Sequence, residues 1–199
     1  ENVAIADTSP ISLDPSRLAL SEDSNVRVYF VGEGAGYHNT LGFNVIDSLS
    51  QPANAITESA QLIFPDASSS VSSYDPNSSA TRSSSQPLLP GDFVDLGTVA
   101  GGNTLDFFLI ANGYNGGQNV YTADPERNPD GLNHTVAFAL EDSPYLMIGF
   151  EDLYGGGDKD YNDLVFAVEI GLANVGKLIA LSTPEPASRW AWRTWRRSS

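Results

Sequence analysis

Short runs of this chain alternate apolar and polar residues with a period of two. Val26/Val28/Phe30 and Val136/Phe138/Leu140 show it most cleanly. A β-strand turns successive side chains to opposite faces, so this period predicts strands with one face buried. Apolar runs bounded by Gly, Pro, Asn and Ser extend the reading to Val3–Ala6, Arg17–Leu20, Val26–Val31, Leu41–Ile46, Ala60–Phe64 and Phe93–Leu96. Further strands are predicted at Thr104–Ala111, His134–Leu140, Tyr145–Phe150, Leu164–Ile170 and Lys177–Leu181. No segment sustains a 3.6-residue period beyond one or two turns. Many short strands separated by turn residues predict an all-β antiparallel sandwich, jelly-roll-like, with long Gly/Asn/Ser-rich loops.

Composition divides the chain further. Residues 16–182 hold the predicted sandwich, preceded by an N-terminal strand and extension over 1–15. Within it, residues 67–86 contain ten serines and almost no apolar side chain, which predicts a surface loop that cannot repay its ordering entropy. Residues 183–199 form a basic Trp/Arg tail. The chain opens at Glu1 without Met or a signal-peptide pattern, the expectation for a mature or trimmed N-terminus. With no cysteine, no disulfide can staple the fold.

The formal charge is −15 over 199 residues. Residues 1–183 carry 24 acidic and six basic side chains, a formal −18. This balance disfavours nucleic acid and anionic membranes and favours divalent cations. No run of about twenty apolar residues is present, so no membrane span is predicted.

The acidity concentrates at Glu151-Asp152-Leu153-Tyr154-Gly155-Gly156-Gly157-Asp158-Lys159-Asp160-Tyr161-Asn162-Asp163: five carboxylates and a carboxamide in thirteen residues, around three glycines. A solvated acidic turn would have this composition. The alternation Asp158-x-Asp160-x-Asn162, however, repeats the ligand spacing of calcium loops, and hard oxygen donors without sulfur suit Ca²⁺. The match to a helix–loop–helix calcium hand is partial: Asp163 stands where that loop wants Gly, and the residues after it alternate as a strand. Glu169, roughly 20 Å further along such a strand, cannot close the same site. The expected ligands are Asp152, Asp158, Asp160, Asn162 and Asp163, then Glu151 and Glu33.

The stretch Gly149-Phe150-Glu151-Asp152 through Asp160-Tyr161-Asn162-Asp163-Leu164-Val165-Phe166 resembles the signature of the bacterial domain of unknown function 4114. Two upstream segments also resemble that family: Phe30-Val31-Gly32-Glu33-Gly34-Ala35-Gly36-Tyr37-His38-Asn39-Thr40-Leu41-Gly42, and Asn128-Pro129-Asp130-Gly131-Leu132-Asn133-His134. Together they span roughly residues 25–170. The resemblance implies an extracellular β-rich domain with bound calcium, found in secreted, surface-anchored and adhesin-like proteins, and no particular enzyme activity. In the tail, Pro184-Glu185-Pro186-Ala187 followed by arginines resembles the PEP-CTERM sorting signal of Gram-negative surface proteins. A Trp/Arg mixture replaces that signal's apolar segment and could not enter a bilayer core at acceptable cost. This second resemblance implies a secreted, exopolysaccharide-associated origin.

Other chemistry is weaker. Asp124-Pro125-Glu126-Arg127-Asn128-Pro129-Asp130-Gly131 also spaces oxygens two apart and reads as a second metal loop or a surface turn. His38 and His134 are the only histidines, too few for a zinc site and better suited to local hydrogen bonds. There is no Gly-x-Ser-x-Gly elbow and no cysteine nucleophile, and adjacent carboxylates on a strand point apart, so no enzyme is predicted. Tyr37, Tyr114, Tyr121 and Tyr154 lie in Gly/Asn-rich turns, where their rings either stack on a sugar or pack the turn. The expected function is a secreted calcium-binding structural or adhesive protein of the bacterial surface or extracellular matrix, with a calcium-dependent carbohydrate-binding module as the alternative. Its partners would be a surface glycan or exopolysaccharide, or further copies of itself. For self-assembly the segment Glu1–Ala6 either completes a neighbour's sheet, giving fibres or tubes, or forms an edge strand of its own sandwich.

Overall fold

The period-two runs become two antiparallel sheets. The structure, a computed structural model, describes residues 9–47, 60–68 and 88–182. Its strands are β1 (Ile11–Leu13), β2 (Ser24–Gly32), β3 (Thr40–Asp47), β4 (Gln61–Phe64) and β5 (Phe93–Val99). They are followed by β6 (Asn103–Ile110), β7 (Val120–Thr122), β8 (Thr135–Ala139), β9 (Tyr145–Phe150), β10 (Leu164–Glu169) and one helix, α1 (Leu172–Ser182). One sheet has six strands in the order β1-β8-β9-β10-β2-β5, and the other four, β4-β3-β6-β7. Every pairing is antiparallel. The predicted sandwich is present, with its strands divided six and four rather than as the eight of a jelly roll.

The alternating residues meet between the sheets. Val26, Val28 and Phe30 of β2, Leu146, Ile148 and Phe150 of β9, and Leu164, Phe166 and Val168 of β10 are all buried. They face Leu41 and Phe43 of β3 and Leu105, Phe107 and Leu109 of β6. Phe107 and Phe166 cross the gap with centroids 5.2 Å apart at 60°, and Phe30 meets Phe64 edge-on at 6.2 Å. Rings set edge-to-face add about 0.5–1.5 kcal/mol each beyond their buried area. On the outer face of the smaller sheet, a Cβ at Gly42 would overlap the Phe108 ring, so glycine there lets Phe108 lie buried across β3.

In β8 the structure reverses the expected face. Thr135, Ala137 and Ala139 point inward and are buried, while Phe138 is half-buried and Leu140 is exposed outside. Small residues suit the inner side because β8 lies between β9 and β1, whose Leu13 fills the adjoining space.

Three further expectations are corrected. Lys177–Leu181 lies in helix α1: Leu172, Val175, Leu178 and Ile179 recur at helical spacing, and Val175 and Leu178 are buried. The helix is fixed by Asn174, whose Oδ1 accepts from the Ser21 and Glu22 N–H groups at 2.7 and 3.1 Å. Arg17–Leu20 is no strand; Pro15–Arg17 is a 3₁₀ turn capped by Asp14, and only Ala19 bridges to Thr104. Finally, the Ser-rich loop begins later than residue 67, since Ala67 is buried and its N–H donates to the Asn39 carbonyl at 2.7 Å. β1 and β7, three residues each, were too short to show a period.

β1 pairs with β8 of its own chain at the sheet edge. The predicted strand Val3–Ala6, the serines from Ser69 onward and the Trp/Arg tail lie outside the described residues. Among the described residues no helix is long and apolar enough to cross a membrane.

Candidate metal centre

Phe150 ends β9, Leu164 begins β10, and the two are paired. The acidic stretch between them is therefore a hairpin loop closed at its base. It is far longer than a tight hairpin turn, and it coils through left-handed backbone. φ is 92°, 84° and 48° at Gly155, Gly156 and Gly157, and 64° and 56° at Lys159 and Tyr161. Glycine adopts these angles freely, whereas each non-glycine residue there costs about 1–3 kcal/mol.

The coil carries the end of the loop back over its start. Glu151 is 1 % exposed, and its N–H donates to the His134 carbonyl at 2.9 Å. Its Oε1 accepts from the Tyr161 N–H at 2.7 Å, but its buried Oε2 has no hydrogen-bond partner among the described residues. A Cβ on Gly157 would fall on that oxygen, so the glycine backbone closes over it. Carboxylate oxygens of Glu151, Asp158 and Asp160 lie within 4.8 Å of one another. Calcium–oxygen distances of about 2.3–2.6 Å allow two ligands to stand up to about 5 Å apart across one ion, so the spacing fits. Burial raises the Glu151 pKa, and the charges of Asp163, Asp158 and Asp160 push it further.

The other predicted ligands divide around this triad. Asp152 and Asp163 form an adjoining carboxylate pair. The Asp152 N–H donates to Asp163 Oδ2 at 2.9 Å, and Asn39 Nδ2 donates to Asp152 Oδ2 at 2.8 Å. Burial, with the neighbouring Asp163 charge, pushes Asp152 up to about 6, and burial likewise raises Asp163. Asn162 touches Asp160 through its side-chain nitrogen as well as its backbone N–H, which sets it beside a member of the triad. Glu33 lies outside the triad. It is half-buried one residue before Gly34, whose N–H donates to the Asn162 carbonyl at 2.9 Å.

The loop rests on a brace that sequence reasoning did not assemble. Asp130 accepts from His134 Nε2 and from the Gly155 N–H, at 2.9 and 2.7 Å. Those hydrogen bonds lower the Asp130 pKa against the opposing effect of burial. His134 is fully buried, its Nδ1 sits 3.0 Å from the Glu151 carbonyl, and it stacks on Tyr121 with centroids 3.8 Å apart. Asn39, Asp130 and His134 all stood in the motifs quoted above. What the sequence lacked was any sign that separate segments converge on one loop.

The second metal loop is replaced by a structural turn. Asp124 caps the 3₁₀ turn at Glu126, Asn128 Oδ1 accepts from the Thr122 N–H at 2.7 Å, and Asp130 serves the brace. Arg127 leaves the loop's carboxylates and makes a nearly buried two-pronged pair with Asp106, both contacts at 3.0 Å. His38 pairs with Asp66 at 3.1 Å and lies against Tyr114. Tyr121, buried under the brace, presents no face to a sugar.

Fold and site together define a β-sandwich with an oxygen-only acidic centre in its β9–β10 hairpin. Residues 99–171 match the model of the domain of unknown function family DUF4114. That match bears out the resemblance from the end of β5 through β10, the brace and the acidic loop included. The Gly-rich turn of residues 30–42 lies outside it, so the similarity is narrower than residues 25–170. No curated protein and no solved structure matches the chain.

Proposed function

We propose that this protein is a secreted calcium-binding module that serves a structural or adhesive role on the bacterial surface or in the extracellular matrix. The observation that carries the metal reading is the Glu151 carboxylate: its Oε2 is buried without a hydrogen bond among the described residues, and one of its oxygens lies within 4.8 Å of those of Asp158 and Asp160. A buried carboxylate in that setting is costly unless paired or metal-bound. An all-oxygen donor set selects a hard cation, and the spacing suits calcium. Glu151, Asp158 and Asp160 would hold the ion directly, with Asp152 and Asp163 adding negative charge beside it. The ion would supply the positive charge that lets these groups stay ionised together. Tyr161 and Asn39 hold Glu151 and Asp152 in place by hydrogen bonds, and the Asp130 brace fixes the loop's other flank. Binding, not catalysis, is the proposed role.

Surface placement and self-assembly are supported by the acidic composition, by the family resemblance, and by β1 as an edge strand preceded by further strand-like sequence. An exchanged edge strand would link copies head to tail.

Calcium titration of chelator-treated protein tests the reading, with melting temperature and light scattering followed in the same samples. Ion at a hundred times its Kd adds about 2.7 kcal/mol of stability. A rise in melting temperature supports the metal site, and a parallel rise in scattering that disappears when residues 1–9 are deleted supports strand exchange. An unchanged melting temperature would overturn the calcium reading.

A further inference from the structure

Beside the acidic loop, three loops meet in a cleft of about 410 Å³. Tyr37 comes from the turn between β2 and β3; Asn112, Gln118 and Asn119 come from the connection between β6 and β7; Asp152 and Tyr154 come from the acidic loop. The two tyrosines are exposed, at 41 % and 67 %. The volume falls within the range of about 300–1,000 Å³ typical of small-molecule sites.

The cleft walls are set before any ligand arrives. In the β6–β7 connection the Ala111 N–H donates to the Asn119 carbonyl, and the Gly117 N–H to the Asn112 carbonyl, both at 2.9 Å. A Cβ at Gly117 would collide with the Ala111 carbonyl, so glycine permits this tight closure. Asn112 Oδ1 accepts from the His38 N–H at 3.2 Å, which joins the Tyr37 turn to the same wall. Opposite, Tyr154 precedes Gly155, which is pinned to Asp130.

We propose that this cleft binds a pyranose unit of a neutral polysaccharide. Apolar sugar C–H faces suit the flat tyrosine rings, while hydroxyls, each both donor and acceptor, match carboxamides and a carboxylate. Neutral sugars are specified because Asp152 lines the cleft and the chain carries −15, which repels acidic ones. The site shares Asp152 and the acidic loop with the calcium reading but takes its contacts from the tyrosines and amides.

The test is saturation-transfer NMR on the full chain with cellobiose, maltose and lactose, each in calcium and in chelator. Transfer to sugar ring protons is expected for at least one of them. Tyr37→Ala and Tyr154→Ala should each weaken that binding about tenfold, or about 1.4 kcal/mol. Tyr114→Ala, an exposed tyrosine outside the cleft, should leave it unchanged. Transfer that requires calcium supports the proposal and shows that the ordered loop presents Tyr154; transfer in both conditions supports it without that dependence. Transfer from none of the sugars, or equal transfer in both cleft variants, would overturn it. The melting-temperature titration judges the calcium reading separately, so either idea can fail alone.

Discussion

Replacing Glu151 by Gln separates the cost of the buried carboxylate from its use. The substitution keeps shape and keeps an oxygen for the Tyr161 N–H. It also removes the charge and turns an amide N–H₂ toward the Asp158 and Asp160 carboxylates, which lie within 4.8 Å. In the wild-type apoprotein Oε2 is buried without a hydrogen bond among the described residues. Leaving such a group unsatisfied costs about 1–3 kcal/mol, more when it is charged. Glu151→Gln should therefore raise apoprotein stability by about 1–3 kcal/mol, or about 2–4 °C in melting temperature for each kcal/mol in a domain of this size. With calcium the ranking should invert. The wild type gains about 2.7 kcal/mol at a hundredfold excess over Kd, whereas the variant, short of its innermost ligand, gains little. Differential scanning calorimetry in chelator and in millimolar calcium reads both numbers. A variant less stable than wild type in chelator, yet equally responsive to calcium, would show that Glu151 is a packing residue with no part in ion binding.

Gly157→Ala places a methyl group on Glu151 Oε2 at a φ of 48°, so it should cost about 1–3 kcal/mol and abolish the calcium response, checked by chemical denaturation with and without the ion. Asp152 is pushed up to about 6 from an unfolded value near 3.9, so the folded apoprotein binds the extra proton. The resulting destabilisation is fully present above pH ~6 and vanishes below ~4: apoprotein stability should rise as pH falls through that window, and calcium should reverse the slope, both read from melting temperatures across pH. Arg127→Ala strands Asp106 in a nearly buried position and should cost about 3–5 kcal/mol in urea titration while leaving calcium affinity unchanged. A weakened calcium response there would return residues 124–131 to the metal site.

The fold was legible wherever a strand was long and faced the core on alternate residues. β2, β3, β6, β9 and β10 all fall within one or two residues of their predicted bounds. Reading failed where local pattern carried no direction. In β8, Val136/Phe138 alternates as well as Ala137/Ala139 does, and only the neighbouring Leu13 and the space beside it decide which set turns inward. Helix α1 begins after Gly171 and lasts three turns, short enough for its Lys177–Leu181 end to pass for an apolar strand. The acidic loop announced itself by composition. Its internal ranking did not: Glu151, placed near the end of the expected ligands, is the most buried member of the triad, because the coiled loop folds back over it at Gly157 and Tyr161. The hydrogen bonds of Asn39 and Asp130 to the loop span 113 and 25 residues, distances that no local motif encodes.

β10 lies between β9 and β2, and the Tyr29–Glu169 hydrogen bond joins residues 140 apart in the chain. The large sheet therefore lacks an interior strand until the end of the sandwich has been made. A chain cut or stalled before Leu164 presents two bare sheet edges, along β2 and β9, at the centre of what should be a continuous surface. Those bare edges invite pairing with other chains, and the long-range closure of the sheet slows folding. The acidic hairpin joins β9 to β10, so the stretch that carries the candidate metal ligands also delivers the strand that closes the sheet.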